Sequence, residues 1–131
     1  MDFHQLVWKQ VPIGEGWDDE PDPVIWTSVN VLDKAWRNAE DYVGPGGVGS
    51  NQVGKYERVG AFLLQYAGNL RLFMPSVSFF RDQVEFTDGR HRFAWLRDHG
   101  LLSMPVEVSS DSADAFRARF ETTQQIGRIE S

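Results

Sequence analysis

The spacing of apolar residues along the chain predicts four helices. The clearest repeat is Val59, Phe62, Leu63 and Tyr66, at i, i+3, i+4 and i+7, which places four apolar side chains on one face of a helix. Gly68 follows at the position where such a helix would end. The other three predicted helices are capped at their starts by Asn30, by Asp88, and by Asp111 or Ser112. In the last of these helices, Ala113, Phe116 and Phe120 are expected to face the core.

Shorter apolar stretches, several of them alternating with polar residues, predict strands. They lie at about 5–11, 24–29, 70–74, 76–80, 83–87 and 105–108. The pair Arg81-Asp82 separates two of these stretches and predicts a hairpin. Together the elements predict an α+β fold, with a small mixed β-sheet and helices packed on it.

The chain is organised around the stretch from Val84 to Val108, which predicts a strand, a tight turn, a helix and a second strand. The turn is Asp88-Gly89, and Gly100 stands where the helix would end. A strand–helix–strand unit this short predicts a right-handed parallel crossover. Asp-Gly is also a hairpin signal, so the alternative that Arg90 to Leu96 returns as a strand stays open.

The turn collects groups that suit a phosphate. A helix that begins there presents free backbone N–H groups and the positive end of its dipole. Gly89 allows the backbone to approach an anion closely, Arg92 can hold a phosphate through two hydrogen bonds, and Arg90 adds positive charge. His91 is a candidate general acid–base because histidine titrates near neutral pH.

Two carboxylates and two further cations complete the candidate site. Glu85 and Asp88 are candidates for positioning water or binding Mg²⁺, and a salt bridge is the competing interpretation. Lys55 and Arg58 stand at the start of a predicted helix and are candidates for binding phosphate; a solvated helix face is the alternative. The glycine-rich stretch 44–51 before them lacks the Gly-Lys-Ser/Thr ending of a P-loop, so it predicts a connection or a lid.

Composition and charge narrow the class of protein. The chain of 131 residues predicts one domain, and the absence of cysteine excludes disulfides, thiolate zinc sites and a cysteine nucleophile. Residues 1–50 hold three basic and nine acidic side chains, which accounts for the net charge of −6. This acidity argues against a freestanding binder of duplex DNA. No signal peptide or membrane insertion is expected, which predicts a cytoplasmic protein.

The segment Asp88-Gly89-Arg90-His91-Arg92-Phe93-Ala94, between a strand and a helix, resembles the signature of the ParB/sulfiredoxin superfamily. Within that superfamily the fuller similarity, over Lys55 to Val108, is to plasmid fertility-inhibition factors. Sulfiredoxins have a cysteine where this chain has Arg90, so sulfiredoxin activity is excluded. ParB proteins have Gly-Glu-Arg-Arg in the same turn, and the replacements here leave the identity of the nucleotide open.

The resemblance implies a ParB/sulfiredoxin-like domain in three parts: an acidic, loop-rich part at 1–54, a motif-bearing core at 55–108, and a frayed tail at 126–131. It also implies binding of ATP or another NTP with Mg²⁺, NTPase or nuclease activity, and suppression of conjugative DNA transfer. Nucleotide, DNA and a protein of the conjugation machinery are the expected partners. The alternative is a non-catalytic module that blocks a partner protein and uses the fold as a scaffold.

Overall fold

The computed structural model describes residues 1–12 and 21–130, so the acidic cluster Asp18-Asp19-Glu20 lies outside the described residues. The α-helices in the described part are α1 (Val29–Trp36), α2 (Lys55–Gln65), α3 (Arg90–Asp98) and α4 (Ala113–Phe120). The strands are β1 (Val7–Lys9), β2 (Val24–Ser28), β3 (Arg71–Phe73), β4 (Ser76–Phe80), β5 (Gln83–Asp88), β6 (Ser103–Val108) and β7 (Arg128–Ile129). None of the described helices is long and apolar enough to cross a membrane.

The fold is α+β, as predicted, but the strands form two sheets where one was expected. A mixed four-stranded sheet has the order β2-β6-β4-β5, and a parallel three-stranded sheet has the order β3-β1-β7. The central strand β6 is buried along its whole length, because both faces of the larger sheet are covered there. Large aromatic side chains, including Trp36, Phe93 and Phe116, fill the core around this sheet.

The prediction of a parallel crossover from β5 to β6 is wrong. Strand β4 lies between them, antiparallel to β5 and parallel to β6, so β5 and β6 run in opposite directions. The cause is the hairpin over Arg81 and Asp82, whose backbones take positive φ values of 52° and 62°. This tight turn fixes β5 beside β4, and after α3 the chain returns as β6 on the other edge of β4.

The ends of the helices differ in part from the predicted caps. Helix α1 is capped by Ser28 instead of Asn30, and the Ser28 hydroxyl accepts a hydrogen bond from the N–H of Val31 at 3.4 Å. Helix α3 is capped by Gly89 without a side-chain hydrogen bond, so the predicted cap at Asp88 is also wrong. Gly100 ends α3 as predicted, with φ +93°.

Two further predictions are corrected by the packing. In α2, Leu63 is buried as expected, but Phe62 and Tyr66 are exposed, because the helix packs through Gly60 and Leu63, with Gly60 against the indole of Trp95. The predicted frayed tail is an ordered strand, since β7 pairs with β1 and Ile126 is only 6% exposed. The backbone N–H groups of residues 128 and 130 donate to carbonyl groups beside and within β1.

Candidate functional site

A cleft lies between the turn at residues 88–92 and the start of α2, and we call it the basic cleft. Its volume is about 280 Å³. Three of its lining residues are cations, and one is a carboxylate. The lining residues are Gln52, Lys55, Val59, Phe86, Thr87, Asp88, Gly89, Arg90, His91 and Arg92.

Two helices begin at this cleft. Gly54 precedes α2 and Gly89 precedes α3, both in the left-handed conformation and both without a side-chain cap. The first N–H groups of a helix have no partner inside the helix, and the dipole places partial positive charge on them. The start of α3 therefore presents partial positive charge to the cleft, with the start of α2 beside it.

The turn between β5 and α3 is held rigidly from both sides. Gly89 lies against Pro75, and a β-carbon on Gly89 would stand 3.1 Å from both Cα and Cβ of Pro75. A bulge leaves Thr87 without a partner on β4. On the open edge of β5, Asp41 accepts a hydrogen bond from the N–H of Phe86 at 2.8 Å. These contacts fix the direction in which the first turn of α3 points.

Arg92 carries more hydrogen-bonding capacity than its surroundings use. Its Nη2 lies 3.5 Å from Oδ2 of Asp88, which is a long contact for a charged pair. Its Nε is buried without a hydrogen-bond partner among the described residues. Asp88 is itself well exposed, so water weakens its attraction for the guanidinium. The salt bridge that was the competing interpretation for Asp88 exists, but it leaves most of the guanidinium donors of Arg92 available.

Arg90 and Lys55 bring charge to the cleft that is not neutralised by an ion pair in the described part of the chain. Arg90 donates to two neutral oxygens, the carbonyl of Asp41 at 3.2 Å and Oδ1 of Asn51 at 2.9 Å. Lys55, the first residue of α2, is exposed at the rim. Both keep their positive charge available to a ligand.

His91 is buried at the base of α3 and bonded to the glycine-rich loop. Its Nε2 lies 2.7 Å from the hydroxyl oxygen of Ser50, and only 4% of the residue is exposed. Burial lowers the pKa of His91 below its ordinary value, and the charges of Arg90 and Lys55 lower it further. A neutral imidazole beside a hydroxyl is the result. Sequence reasoning missed Ser50, whose only signal was its place in a glycine-rich stretch.

The structure does not bring Glu85 or Arg58 into the cleft. Glu85 is exposed on the hairpin opposite Ser78, on the other face of β5 from the core. Arg58 folds back and donates to the carbonyl of Val53 at 3.3 Å. The described residues contain no group of three side chains suited to a metal ion. The predicted Glu85–Asp88 metal pair therefore does not assemble at this cleft.

A second set of contacts anchors the glycine-rich loop at the far end of α3. The carboxylate of Asp98 accepts hydrogen bonds from the N–H of Gly46 at 3.0 Å and the hydroxyl of Tyr56 at 2.7 Å. Burial and the Asp98 carboxylate raise the pKa of Tyr56 to about 12. Burial alone would raise the pKa of Asp98, but these bonds and one from Arg97 hold it below its ordinary value.

Arg97 extends this anchor to α1. Its guanidinium donates to Asp33 at 2.9 Å, to Asp98 at 2.9 Å and to the carbonyl of Val43 at 2.7 Å. We call Arg97, Asp33 and Asp98 the Arg97 network. It was not predicted, because the sequence separates Asp33 and Arg97 by 64 positions.

Part of the chain, including the turn of the basic cleft, is similar to a known sequence family. Residues 75–120 match the family model "Plasmid Fertility inhibition factor". The match runs from the start of β4 to the end of α4 and includes the turn with Gly89 and Arg92, but not α2 or the glycine-rich loop. Neither this match nor the structural one names the ParB/sulfiredoxin superfamily, so that wider resemblance remains a prediction.

A solved structure shares the fold. It is the gold(I) cyanide derivative of the oncogenic suppression activity protein, described as a plasmid fertility inhibition factor. The TM-score is 0.56 at 19% sequence identity, over 76% of this chain and 57% of that chain. The present chain therefore corresponds to little more than half of that protein's length. No curated protein matches the sequence.

Proposed function

We propose that this protein acts like a plasmid fertility-inhibition factor, and that its basic cleft binds the phosphates of a nucleotide or nucleic acid. The observation that carries the proposal is the convergence of three cations, Lys55, Arg90 and Arg92, on a cleft where two helices begin. Suppression of conjugative DNA transfer is the biological role that the family match favours.

The charge of the cleft favours an anionic ligand over a purely structural role. Asp88 is the one carboxylate in the lining, and its ion pair is long and exposed. With His91 neutral, three cations against one anion leave a local excess of positive charge in a protein whose net charge is −6. Screening in physiological salt reduces interactions beyond about 8 Å, so the local charge governs a ligand inside the cleft.

The size of the cleft indicates how much of the ligand it holds. Pockets for drug-sized ligands measure roughly 300–1,000 Å³. At about 280 Å³, the cleft lies near the lower end of this range and has room for a phosphate group or a short polyphosphate. Mg²⁺ would enter with the polyphosphate, with Asp88 as the carboxylate placed to assist.

Hydrolysis of the bound ligand is a second candidate function, favoured by the pair formed by Ser50 and His91. A neutral imidazole at 2.7 Å from a hydroxyl can accept its proton, and it can do the same for a water molecule that replaces the hydroxyl. In this scheme His91→Gln retains binding of pyrophosphate but loses any NTPase or nuclease activity. Equal turnover by the folded variant would exclude His91 as the base.

Titration calorimetry with pyrophosphate, and with ATP and CTP in the presence of Mg²⁺, tests the binding proposal. A charged hydrogen bond contributes about 1.5–3 kcal/mol, so we expect Arg92→Ala to weaken binding by about 10-fold to 150-fold. Arg119→Ala is the matched control, since Arg119 pairs with Asp82 at the hairpin tip and does not line the cleft.

Two results would contradict the binding proposal. If folded Arg92→Ala binds as tightly as the wild type, the phosphate site is not in this turn. If the wild-type protein binds none of these ligands, the non-catalytic module that blocks a partner protein becomes the better account.

A further inference from the structure

The side of α2 that continues from the cleft carries two exposed aromatic rings. Phe62 is 51% exposed and Tyr66 is 47% exposed, although large aromatic side chains are usually buried. Their ring centroids lie 5.0 Å apart with an angle of 55° between the planes, so they form a continuous aromatic surface. The apolar periodicity predicted both side chains on the packed face of the helix, yet both are exposed, and neither lines the cleft.

Helix geometry places these rings in line with the cleft. Lys55 and Val59 line the cleft, and Phe62 and Tyr66 follow Lys55 by 7 and 11 positions. Residues separated by 4, 7 and 11 positions lie on the same side of an α-helix. At 1.5 Å per residue, Phe62 stands roughly 4.5 Å and Tyr66 roughly 10.5 Å beyond Val59 along the helix. A ligand that leaves the cleft along α2 therefore meets both rings.

We propose that this surface, the α2 aromatic stripe formed by Phe62 and Tyr66, binds the bases of a single-stranded nucleic acid whose phosphate occupies the basic cleft. The inference rests on the proposed function, because the phosphate in the cleft fixes the register of the strand. Base faces stack on exposed aromatic rings without regard to sequence, while cations hold the backbone. Lys55 and Arg58, both exposed on this part of α2, provide that charge beside the stripe.

The chemistry favours a single strand over the alternatives. A duplex hides its base faces inside the stack, and its affinity would depend on many basic contacts that a protein of net charge −6 lacks. A free nucleotide offers one base, whereas the stripe offers two rings one helical turn apart.

Fluorescence anisotropy with a labelled single-stranded oligothymidylate and a duplex of equal length tests the proposal, beside calorimetry with pyrophosphate. We expect Phe62→Ala and Tyr66→Ala each to weaken binding of the single strand by about 5-fold to 150-fold. Binding of pyrophosphate should stay unchanged in both variants. Phe80→Ala is the matched control, because Phe80 is 70% exposed at the opposite end of the β4–β5 hairpin from Asp88.

The outcomes separate this inference from the proposed function. Wild-type affinity for the single strand in both folded variants, or equal affinity for the duplex, overturns the inference. If Phe62→Ala and Tyr66→Ala weaken binding of ATP as much as binding of the oligonucleotide, one base is enough for the stripe, and the proposal of a strand that continues along α2 is overturned. If pyrophosphate binds and the oligonucleotide does not, the inference about the stripe is overturned and the cleft proposal survives. If neither binds, both proposals fail.

Discussion

Arg92 in the first turn of helix α3 and Arg97 in its last turn have very different surroundings. At the C-terminal end, the side chain of Arg97 is 7% exposed and makes three hydrogen bonds of 2.7–2.9 Å, two of them to carboxylates. At the N-terminal end, the side chain of Arg92 is 25% exposed and has one contact of 3.5 Å to an exposed carboxylate. One buried nitrogen of each guanidinium lacks a partner in the described residues.

The contrast distinguishes a structural cation from a candidate binding cation. Arg97 joins three segments, since Asp33 lies on α1 and the Val43 carbonyl lies before the glycine-rich loop. Its charge is fully matched by Asp33 and Asp98. Arg92 lies beside two other cations and one weak counter-charge. The N-terminal end therefore has cationic charge that its neighbours do not balance, whereas the charge of Arg97 at the C-terminal end is balanced by two carboxylates.

The largest expected effect is on stability, at the C-terminal end. Arg97→Met leaves Asp33 buried without its strongest partner, and loss of one partner from a buried pair costs about 3–5 kcal/mol. Arg92→Ala should change the free energy of unfolding by only about 0.5 kcal/mol, because its ion pair is long and exposed. Urea unfolding of the two variants beside the wild type measures the difference.

A double variant sharpens this test. Asp33→Asn combined with Arg97→Met removes both charges, so it should recover part of the stability that Arg97→Met loses. Equal destabilisation by Arg92→Ala and Arg97→Met would contradict the distinction between the two ends.

The same contrast explains what could be predicted from the sequence. The turn, the helix after it and Gly100 follow from local signals, and so do Gly89, Arg90 and Arg92 as residues of one cleft. Local signals misplaced the strand order, because the position of β6 depends on which edge of β4 the hairpin leaves free.

The parts of the site that could not be predicted depend on contacts between residues that are distant in sequence. Ser50, Asp41 and Asp98 hold the loop and β5 against α3, and their partners lie between 41 and 52 positions away. No periodicity or turn rule connects residues at such separations. The prediction that Glu85 belongs to the site is wrong for a simpler reason. Side chains alternate between the two faces of a strand, and this alternation places Glu85 on the exposed face of β5.

The second-largest expected effect concerns the stability of variants at the glycines on either side of α3. Gly89 and Gly100 have φ values of +88° and +93°, so alanine at either position should cost about 1–2 kcal/mol. A β-carbon at Gly100 meets nothing within 4 Å, while one at Gly89 meets Pro75 and Nη2 of Arg92. Gly89→Ala should therefore be the less stable variant and should alone lose affinity for pyrophosphate.

Thermal melts and calorimetry on the same preparations separate the two effects. Gly100→Ala controls for backbone strain, since it shares the left-handed conformation and lies at the other end of the helix. A Gly89→Ala protein that melts like Gly100→Ala and binds pyrophosphate normally would remove the turn from the phosphate site.

The smallest effect concerns the pH dependence of the N-terminal end. Burial and the charges of Arg90 and Lys55 place the pKa of His91 below the ordinary 6.5 in the folded protein. Between that lowered pKa and about 6.5 the unfolded chain binds more protons than the folded one, so the free energy of unfolding should fall as the pH falls through this window. Above pH 6.5 the contribution of His91 is constant. His91→Gln should flatten this dependence of the free energy of unfolding on pH, because glutamine does not titrate.

Bound pyrophosphate should shift the pKa of His91 in the opposite direction to burial, since its negative charge favours the imidazolium and raises that pKa. Urea midpoints across this pH range and the NMR titration of the His91 ring, with and without pyrophosphate, measure both effects. An unchanged ring pKa in the presence of saturating pyrophosphate would place the ligand away from the start of α3.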